Sequence, residues 1–301
     1  MMTSRFKLNW VIDHEHAGLI IKEFLKNEEI SRTALTDIKF KGGSIQVNSE
    51  EVNVRYKLRV GDILTVIFPA EHPSKGVQGE DIPLTILFED DYLLVVYKPA
   101  GMSTIPSREY PTGSLANALV GYYRSIVLEA TSHIVTRLDR DTSGIVLIAK
   151  HRHVHHLFSK MQQKRQVKRT YEAFAGGLLA ADRGTIKEPI GRKEDSIIER
   201  EVRDDGQYAC THFQVIERHR TFTHIELQLD TGRTHQIRVH MSYIGHPLLG
   251  DDLYGGDNLL IDRQALHCKK IKFKHPLLGE EMTFTAPFPH DMSEILEADP
   301  I

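Results

Sequence analysis

The chain has 301 residues, a formal net charge of −3, 41% hydrophobic residues, 26% charged residues and two cysteines. That balance reads as a globular protein with one or two domains, and it excludes a disulfide scaffold. No apolar run of about 18 residues is present, so no membrane span is expected, and Met1 to Trp10 is too polar for a secretory leader, which makes a reducing cytoplasm the expected setting.

Residues 1–70 read as a small unit of their own. Leu19, Ile20, Phe24 and Leu25 fall at helical spacing within 17–27. Ser31 is placed to cap a second helix that Gly42-Gly43 would end. Ser44–Asn48 and Ile63–Phe68 alternate like strands. Polar, proline- and glycine-containing residues follow, and 71–84 is expected to be a flexible linker through which the small unit searches while tethered. The rest, 85–301, reads as α+β: a twisted, mainly antiparallel sheet with flanking helices. Strands are expected at 86–88, 92–97, 144–150, 169–174, 208–217, 223–229, 271–273 and 282–285, and helices at 115–124, 151–163 and 234–243. Ser103 to Gly113 reads as a mobile loop. His151, His153, His155 and His156 have a spacing that can hold zinc, yet no acid or cysteine nearby completes the set, so a polar helix face is expected instead. Cys210 and Cys268 are expected to be buried small residues.

One run concentrates the chemistry: R-L-D-R-D-T-S-G at 137–144, followed at once by the strand. It displays Asp139 on an irregular segment anchored to a rigid element. Arg137 and Arg140 flank the acid and are expected to keep it ionised. Such a carboxylate can be a nucleophile, a base or a stabiliser of a developing cation; the plain alternative is a turn leading into a strand. Two stretches carry local positive charge: K-M-Q-Q-K-R-Q-V-K-R at 160–169, and Lys269, Lys270, Lys272 and Lys274. Patches of this kind, rather than net charge, would hold a nucleic acid, and a solvated face is the alternative reading of each.

The same run resembles the signature of the RluA-type pseudouridine synthases, which isomerise uridine in RNA. Three further segments carry the resemblance in the family's order: D-Y-L-L-V-V-Y-K-P-A-G-M at 91–102, K-R-T-Y at 168–171, and T-G-R-T-H-Q-I-R-V-H at 231–240 followed by Gly245-His-Pro-Leu and Gly250-Asp251. One departure is Thr136, where many members have histidine. The resemblance implies the pseudouridine synthase fold, no metal or organic cofactor, and an RNA substrate whose target base is flipped into a pocket. It makes Asp139 the catalytic carboxylate, able to bond to ribose C1′, to stabilise its charge, or to remove the C2′ proton. It places Arg137 in the gap left by the base, Tyr171 against the uracil, and Arg233 as the partner that orients the acid, with Arg238 as the alternative partner or a phosphate contact. Lys168 and Arg169 become RNA contacts. The first 70 residues resemble the S4 RNA-binding domain, with Arg32, Lys39 and Lys41 on or near its second helix within reach of phosphates; a protein–protein module is the rival reading. His235 and His240 are expected to make structural hydrogen bonds. Ribosomal RNA is favoured over transfer RNA, and a monomer is the default. A non-catalytic RNA-binding protein and a nucleoside hydrolase are the competing functions.

Overall fold

The computed structural model describes residues 5–72 and 76–298. Expectations touching 1–4, 73–75 and 299–301 lie outside the described residues.

The N-terminal unit contains β1 (Lys7–Val11), α1 (Ile21–Asn27), α2 (Arg32–Phe40), β2 (Ser44–Val47), β3 (Glu50–Glu51) and β4 (Ile63–Ile67). Two helices precede the sheet strands as expected, with an additional strand, β1, in front of them. The sheet order is β1-β4-β2-β3. Ser31 caps α2 by accepting from the Ala34 N–H at 3.1 Å. Ile21, Leu25, Ile38, Leu64 and Val66, all 0% exposed, lie at the centre of a core separate from that of the larger unit.

The larger unit runs β5 (Thr85–Glu89), β6 (Leu93–Lys98), α3 (Leu115–Ser125), β7 (His133–Ile134), β8 (Ser143–Ala149), α4 (Arg152–Gln163), β9 (Lys168–Gly176), β10 (Arg183–Ile186), β11 (Ile190–Arg192), β12 (Arg200–Val202), β13 (Thr211–Arg218), β14 (Phe222–Leu229), α5 (Gln236–Tyr243), β15 (Leu266–Lys274), β16 (Glu281–Thr285) and α6 (His290–Ala298). A ten-stranded sheet has the order β10-β13-β14-β9-β15-β8-β6-β5, with β16 on β15 and β7 on β8. Its pairs are antiparallel except β15 with β8. Leu93 to Val96 and Ile145 to Ala149 are all 0% exposed. These continuous apolar runs suit central strands covered on both faces. On β14 the period-two pattern holds where Ile225 and Leu227 are buried and Gln228 is exposed, but His224 is buried as well, where its Nε2 meets Glu172 Oε2 at 2.8 Å. α3 starts as the sequence requires: Ser114 accepts from the Asn117 N–H, and Asn117 Oδ1 accepts from the Ser114 N–H at 3.1 Å.

The small unit is docked rather than free to search, which corrects the tether expectation. It lies along α4. Arg152 Nη1 pairs with Asp37 Oδ2 at 3.0 Å, and Lys160 pairs with Glu29. The linker is pinned at both described ends. Glu71 accepts from the Arg152 N–H at 2.9 Å and pairs with His133, while the Glu80 N–H donates to Asn117 O and Gln78 O accepts from Asn117 Nδ2.

The histidines of α4 also depart from expectation. Val154 and Phe158 face the core of the larger unit, as the spacing indicates. His151 and His153 are not a polar face: the small unit covers them. The His151 ring stacks on Phe6 with centroids 4.0 Å apart, and the His153 ring stacks on Phe68 at 5.5 Å. The periodicity of one helix cannot reveal a neighbour that covers its second face. Burial pushes both imidazoles down to about 4, against an ordinary 6.5. The docked state therefore binds fewer protons than the undocked state between pH 4 and 6.5. Docking is at full strength above the ordinary imidazole value and is lost as pH falls through this window, by roughly 3 kcal/mol per imidazole that becomes exposed. Glu71, Lys150 and His133 surround His151, and Glu29 and His156 face His153; both glutamates are held below the usual carboxylate range by their partners, Lys160 for Glu29 and His133 for Glu71, so their protonation in stronger acid weakens docking further. Small-angle scattering should show the particle extending as pH is lowered from 7.5 towards 4.5, and a His151→Phe/His153→Leu variant should show a flatter response. An equal response in that variant would remove the histidines as the cause.

Candidate active site

The segment between β7 and β8 carries Asp139 and is held by side chains from several directions. Thr104 Oγ1 donates to Leu138 O at 2.6 Å and accepts from the Leu138 N–H at 3.2 Å. Arg263 Nη1 donates to Asp141 O at 3.0 Å. Thr136, in place of the expected histidine, is buried, and its hydroxyl accepts from the Leu147 N–H at 2.9 Å. It therefore serves the backbone and leaves the acid untouched. At the entry to β8, Gly144 has φ +121°, and a Cβ there would stand 2.3 Å from Cys268 O, so only glycine lets β8 lie this close to β15.

Lys98 is the hidden support of this loop. It ends β6 with 0% exposure, and its ammonium donates to Pro99 O at 2.8 Å, Met102 O at 2.7 Å and Arg140 O at 2.9 Å. Burial pulls its pKa down to about 7, opposed by Asp141 and Asp139. Three carbonyl acceptors match the three protons of the charged form. In the sequence Lys98 stands in the 91–102 motif with no role of its own. The overlooked signal was a lysine closing an apolar strand, which must find partners if it is buried. Lys98→Met should cost about 3–5 kcal/mol in denaturant unfolding, because three buried acceptors lose their donor. It should also lower kcat, since Arg140 O is adjacent to the acid's own segment. Unchanged stability and kcat would exclude this role.

Asp139 opens onto a cavity of about 910 Å³. It adjoins a small inner pocket of about 70 Å³, whose lining includes the buried Tyr171 and Arg238 together with Arg137, Asp139, Arg169 and Arg233. Six of the ten residues singled out from the sequence thus converge. Lys168 lines the outer cavity. Arg32, Lys39 and Lys41 stand apart on or next to α2: Lys41 pairs with Asp37 at 2.9 Å, and Lys39 lies over the Phe40 ring.

Two assignments change. The guanidinium that reaches Asp139 belongs to Arg238, with Nη1 3.6 Å from Oδ2. It is neither Arg233 nor the flanking Arg137 and Arg140. Arg233 is exposed and bonds instead to Tyr208 O at 3.0 Å and Gln207 Oε1 at 2.7 Å, while Arg140 lies over the Tyr110 ring. Arg238 is also unsuited to a phosphate. It is 6% exposed and forms a two-bond fork, 2.7 Å on each side, with Asp251, which is 0% exposed. The reason lies in α5: its first six residues, Arg238 among them, are all buried, whereas Arg233 precedes the helix and is exposed. The tight fork to Asp251 fixes Arg238, and the longer contact leaves Asp139 oriented but not consumed. Asp251 was quoted in the sequence motif without a role; it is the residue that makes Arg238 rigid.

Tyr171 is 4% exposed and faces the inner pocket. Burial raises its hydroxyl pKa, so the phenol stays protonated. Arg169 Nη1 donates to that hydroxyl at 3.0 Å, which makes Arg169 a brace for the tyrosine as well as a basic group at the cavity. His235 Nδ1 meets the Tyr254 hydroxyl at 2.8 Å, and His240 meets Thr211 Oγ1 at 2.8 Å and Glu188 O at 2.9 Å; both make hydrogen bonds within the fold, and His235 also lines the cavity and the inner pocket.

A family profile described as RNA pseudouridylate synthase matches residues 92–243, which contain Asp139, Tyr171, Arg233 and Arg238. An uncharacterized RNA pseudouridine synthase of Bacillus subtilis is 52% identical over 281 residues, 93% of this chain and 99% of that protein. The chain belongs to the RNA pseudouridine synthase family. It is an isomerase acting on RNA. Ribosomal large subunit pseudouridine synthase D of Vibrio parahaemolyticus is 40% identical over 271 residues, covering 85% of this chain and 83% of that one. Human RNA pseudouridylate synthase domain containing 4 shares the fold, with a TM-score of 0.59 at 23% identity over 71% of this chain and 92% of that chain. The pseudouridine synthase fold expected from the motifs is therefore present. No helix among the described residues is long and apolar enough to cross a membrane.

Proposed function

We propose that this enzyme isomerises a uridine in ribosomal RNA in the cytoplasm, with Asp139 as the catalytic carboxylate. The observation that carries the assignment is that Asp139 is the only acid lining the inner pocket among the described residues, and that it shares this pocket with Tyr171. Isomerisation breaks the bond from C1′ to uracil N1 and forms one from C1′ to C5; N1 gains a proton and C5 loses one, so nothing is oxidised or reduced. Asp139 facing C1′ serves each available route: bonding to the carbon, stabilising its charge, or taking the C2′ proton. Tyr171 supplies a face on which the detached uracil turns, and base–aromatic stacking is worth about 1–3 kcal/mol. Arg137, exposed at the mouth, is placed to fill the stack that the flipped base leaves. Lys168 and Arg169 contact the RNA backbone, and Arg32, Lys39 and Lys41 of the S4-like unit hold a more distant segment.

The preference for ribosomal RNA rests on relatives such as the Vibrio large-subunit enzyme. Pseudouridine mapping of ribosomal and transfer RNA from cells with and without the gene tests it. A ribosomal position that loses its modification, and regains it on complementation, is the expected result; loss confined to transfer RNA would overturn the substrate assignment.

A further inference from the structure

We propose that Cys210, His212 and Asp230 form a zinc-binding site in the wall of the catalytic cavity. The three converge from adjacent strands. Cys210 immediately precedes β13 and His212 is its second residue, so the two are two residues apart along nearly extended chain. Asp230 follows the end of β14 directly opposite, its N–H donating to Cys210 O at 3.1 Å. Their ligand atoms all lie within 4.8 Å of one another.

Two of the three ligand–ligand distances fit the edges of a tetrahedron around a zinc ion, and the sulfur and the carboxylate oxygen lie within 4.8 Å of each other. Cys210 Sγ is 3.6 Å from His212 Nε2, and that nitrogen is 3.4 Å from Asp230 Oδ1. Zinc bonds of about 2.3 Å to sulfur, 2.0–2.1 Å to nitrogen and 2.0–2.2 Å to oxygen give tetrahedral edges of about 3.6 Å for S···N and about 3.4 Å for N···O. The 3.4 Å separation of His212 Nε2 from Asp230 Oδ1 is long for a hydrogen bond, which lies near 2.9 Å.

The surrounding groups hold these ligands as a metal site requires. Thr185 Oγ1 lies 3.0 Å from His212 Nδ1. With the Nδ1–H donating to that hydroxyl, the Nε2 lone pair points at the centre. The second carboxylate oxygen of Asp230 accepts from Arg165 Nη1 at 3.0 Å, which leaves Oδ1 for the metal. His212 and Asp230 both line the large cavity that contains Asp139. The fourth position therefore opens to water or to a bound polyanion. Binding displaces the thiol proton of Cys210 to solvent as the sulfur–zinc bond forms, and the thiolate and carboxylate together balance the charge of the ion. The site is separate from the isomerisation chemistry and does not depend on the assignment of Asp139.

The test is a titration of the reduced, metal-stripped full-length protein with Co²⁺. One equivalent should produce a thiolate-to-cobalt charge-transfer band with tetrahedral d–d bands, both erased by one equivalent of Zn²⁺. Cys210→Ser should remove the charge-transfer band, Cys268→Ser should retain it, and Asp230→Asn should weaken binding. Thr185→Val should weaken binding about 10–100-fold while leaving the bands in place, because it loosens only the imidazole's support. Absence of the band in the wild type, or its survival in Cys210→Ser, overturns the site. Should Cys210→Ser fail to fold, Asp230→Asn and Thr185→Val decide the matter, and wild-type affinity in both would count against the proposal.

Discussion

Asp139→Asn should remove pseudouridine formation, a fall of more than about 10⁴-fold in rate, while the protein stays folded and RNA affinity changes by only a few fold. Three observations set the size of each effect. Asparagine matches the shape of aspartate but cannot bond to C1′, balance its positive charge or accept its neighbour's proton, so all the routes close together. A loss of that size corresponds to about 5.5 kcal/mol of transition-state stabilisation. Stability should change little, since the side chain is 27% exposed and its ion pair with Arg238 is 3.6 Å long. Arg238 keeps its two bonds to Asp251 in the variant. Binding should persist because the cavity's cations remain, and removing one negative charge does not oppose a polyanion. Tritium release from C5-labelled uridine RNA, gel-shift affinity and thermal unfolding measure the three quantities separately. Turnover in Asp139→Asn within tenfold of the wild type would remove the carboxylate from the mechanism. Release of free uracil by the wild type would instead favour a hydrolase.

Much of this site was legible in the sequence because its motifs are local. Asp139 stands out as an acid on a loop before an apolar strand, and Tyr171 and the α5 region carry distinctive neighbours. What stayed hidden depends on tertiary direction. Arg233 and Arg238 are five residues apart, and sequence cannot tell which one faces the acid; Arg238 lies among the six consecutive buried residues of α5, while Arg233 precedes the helix and is exposed. Lys98 has no role to read until the carbonyls of Pro99, Met102 and Arg140 close around it. The docking of the small unit on α4 escaped for the same reason: His151 and His153 are polar letters on a helix, and only the presence of Phe6 and Phe68 above them makes that face an interior. The strands at 183–186, 190–192 and 200–202 are short and lack strong alternation, so they gave no period to read.

The two arginines should separate cleanly under mutation. Arg238→Ala should destabilise the protein by about 3–5 kcal/mol, because Asp251 would be left as a buried charge without its partner. Arg233→Ala should shift stability by less than about 1 kcal/mol, since it is an exposed side chain bonded to one carbonyl and one glutamine. Activity should follow a different rule from stability. Arg238→Lys retains the charge but cannot form the fork to Asp251 and reach Asp139 at once, so kcat should fall even where the variant remains folded. The paired change Arg238→Met/Asp251→Leu removes both buried charges and should recover most of the stability lost in Arg238→Ala. It should not recover kcat, because Asp139 would then lack its orienting cation. Chemical denaturation and single-turnover kinetics on the four variants distinguish holding the fold from holding the acid. If Arg233→Ala abolished kcat while the double variant kept it, Arg238 would be a structural residue alone, and the orienting role would pass to Arg233 in the RNA-bound state.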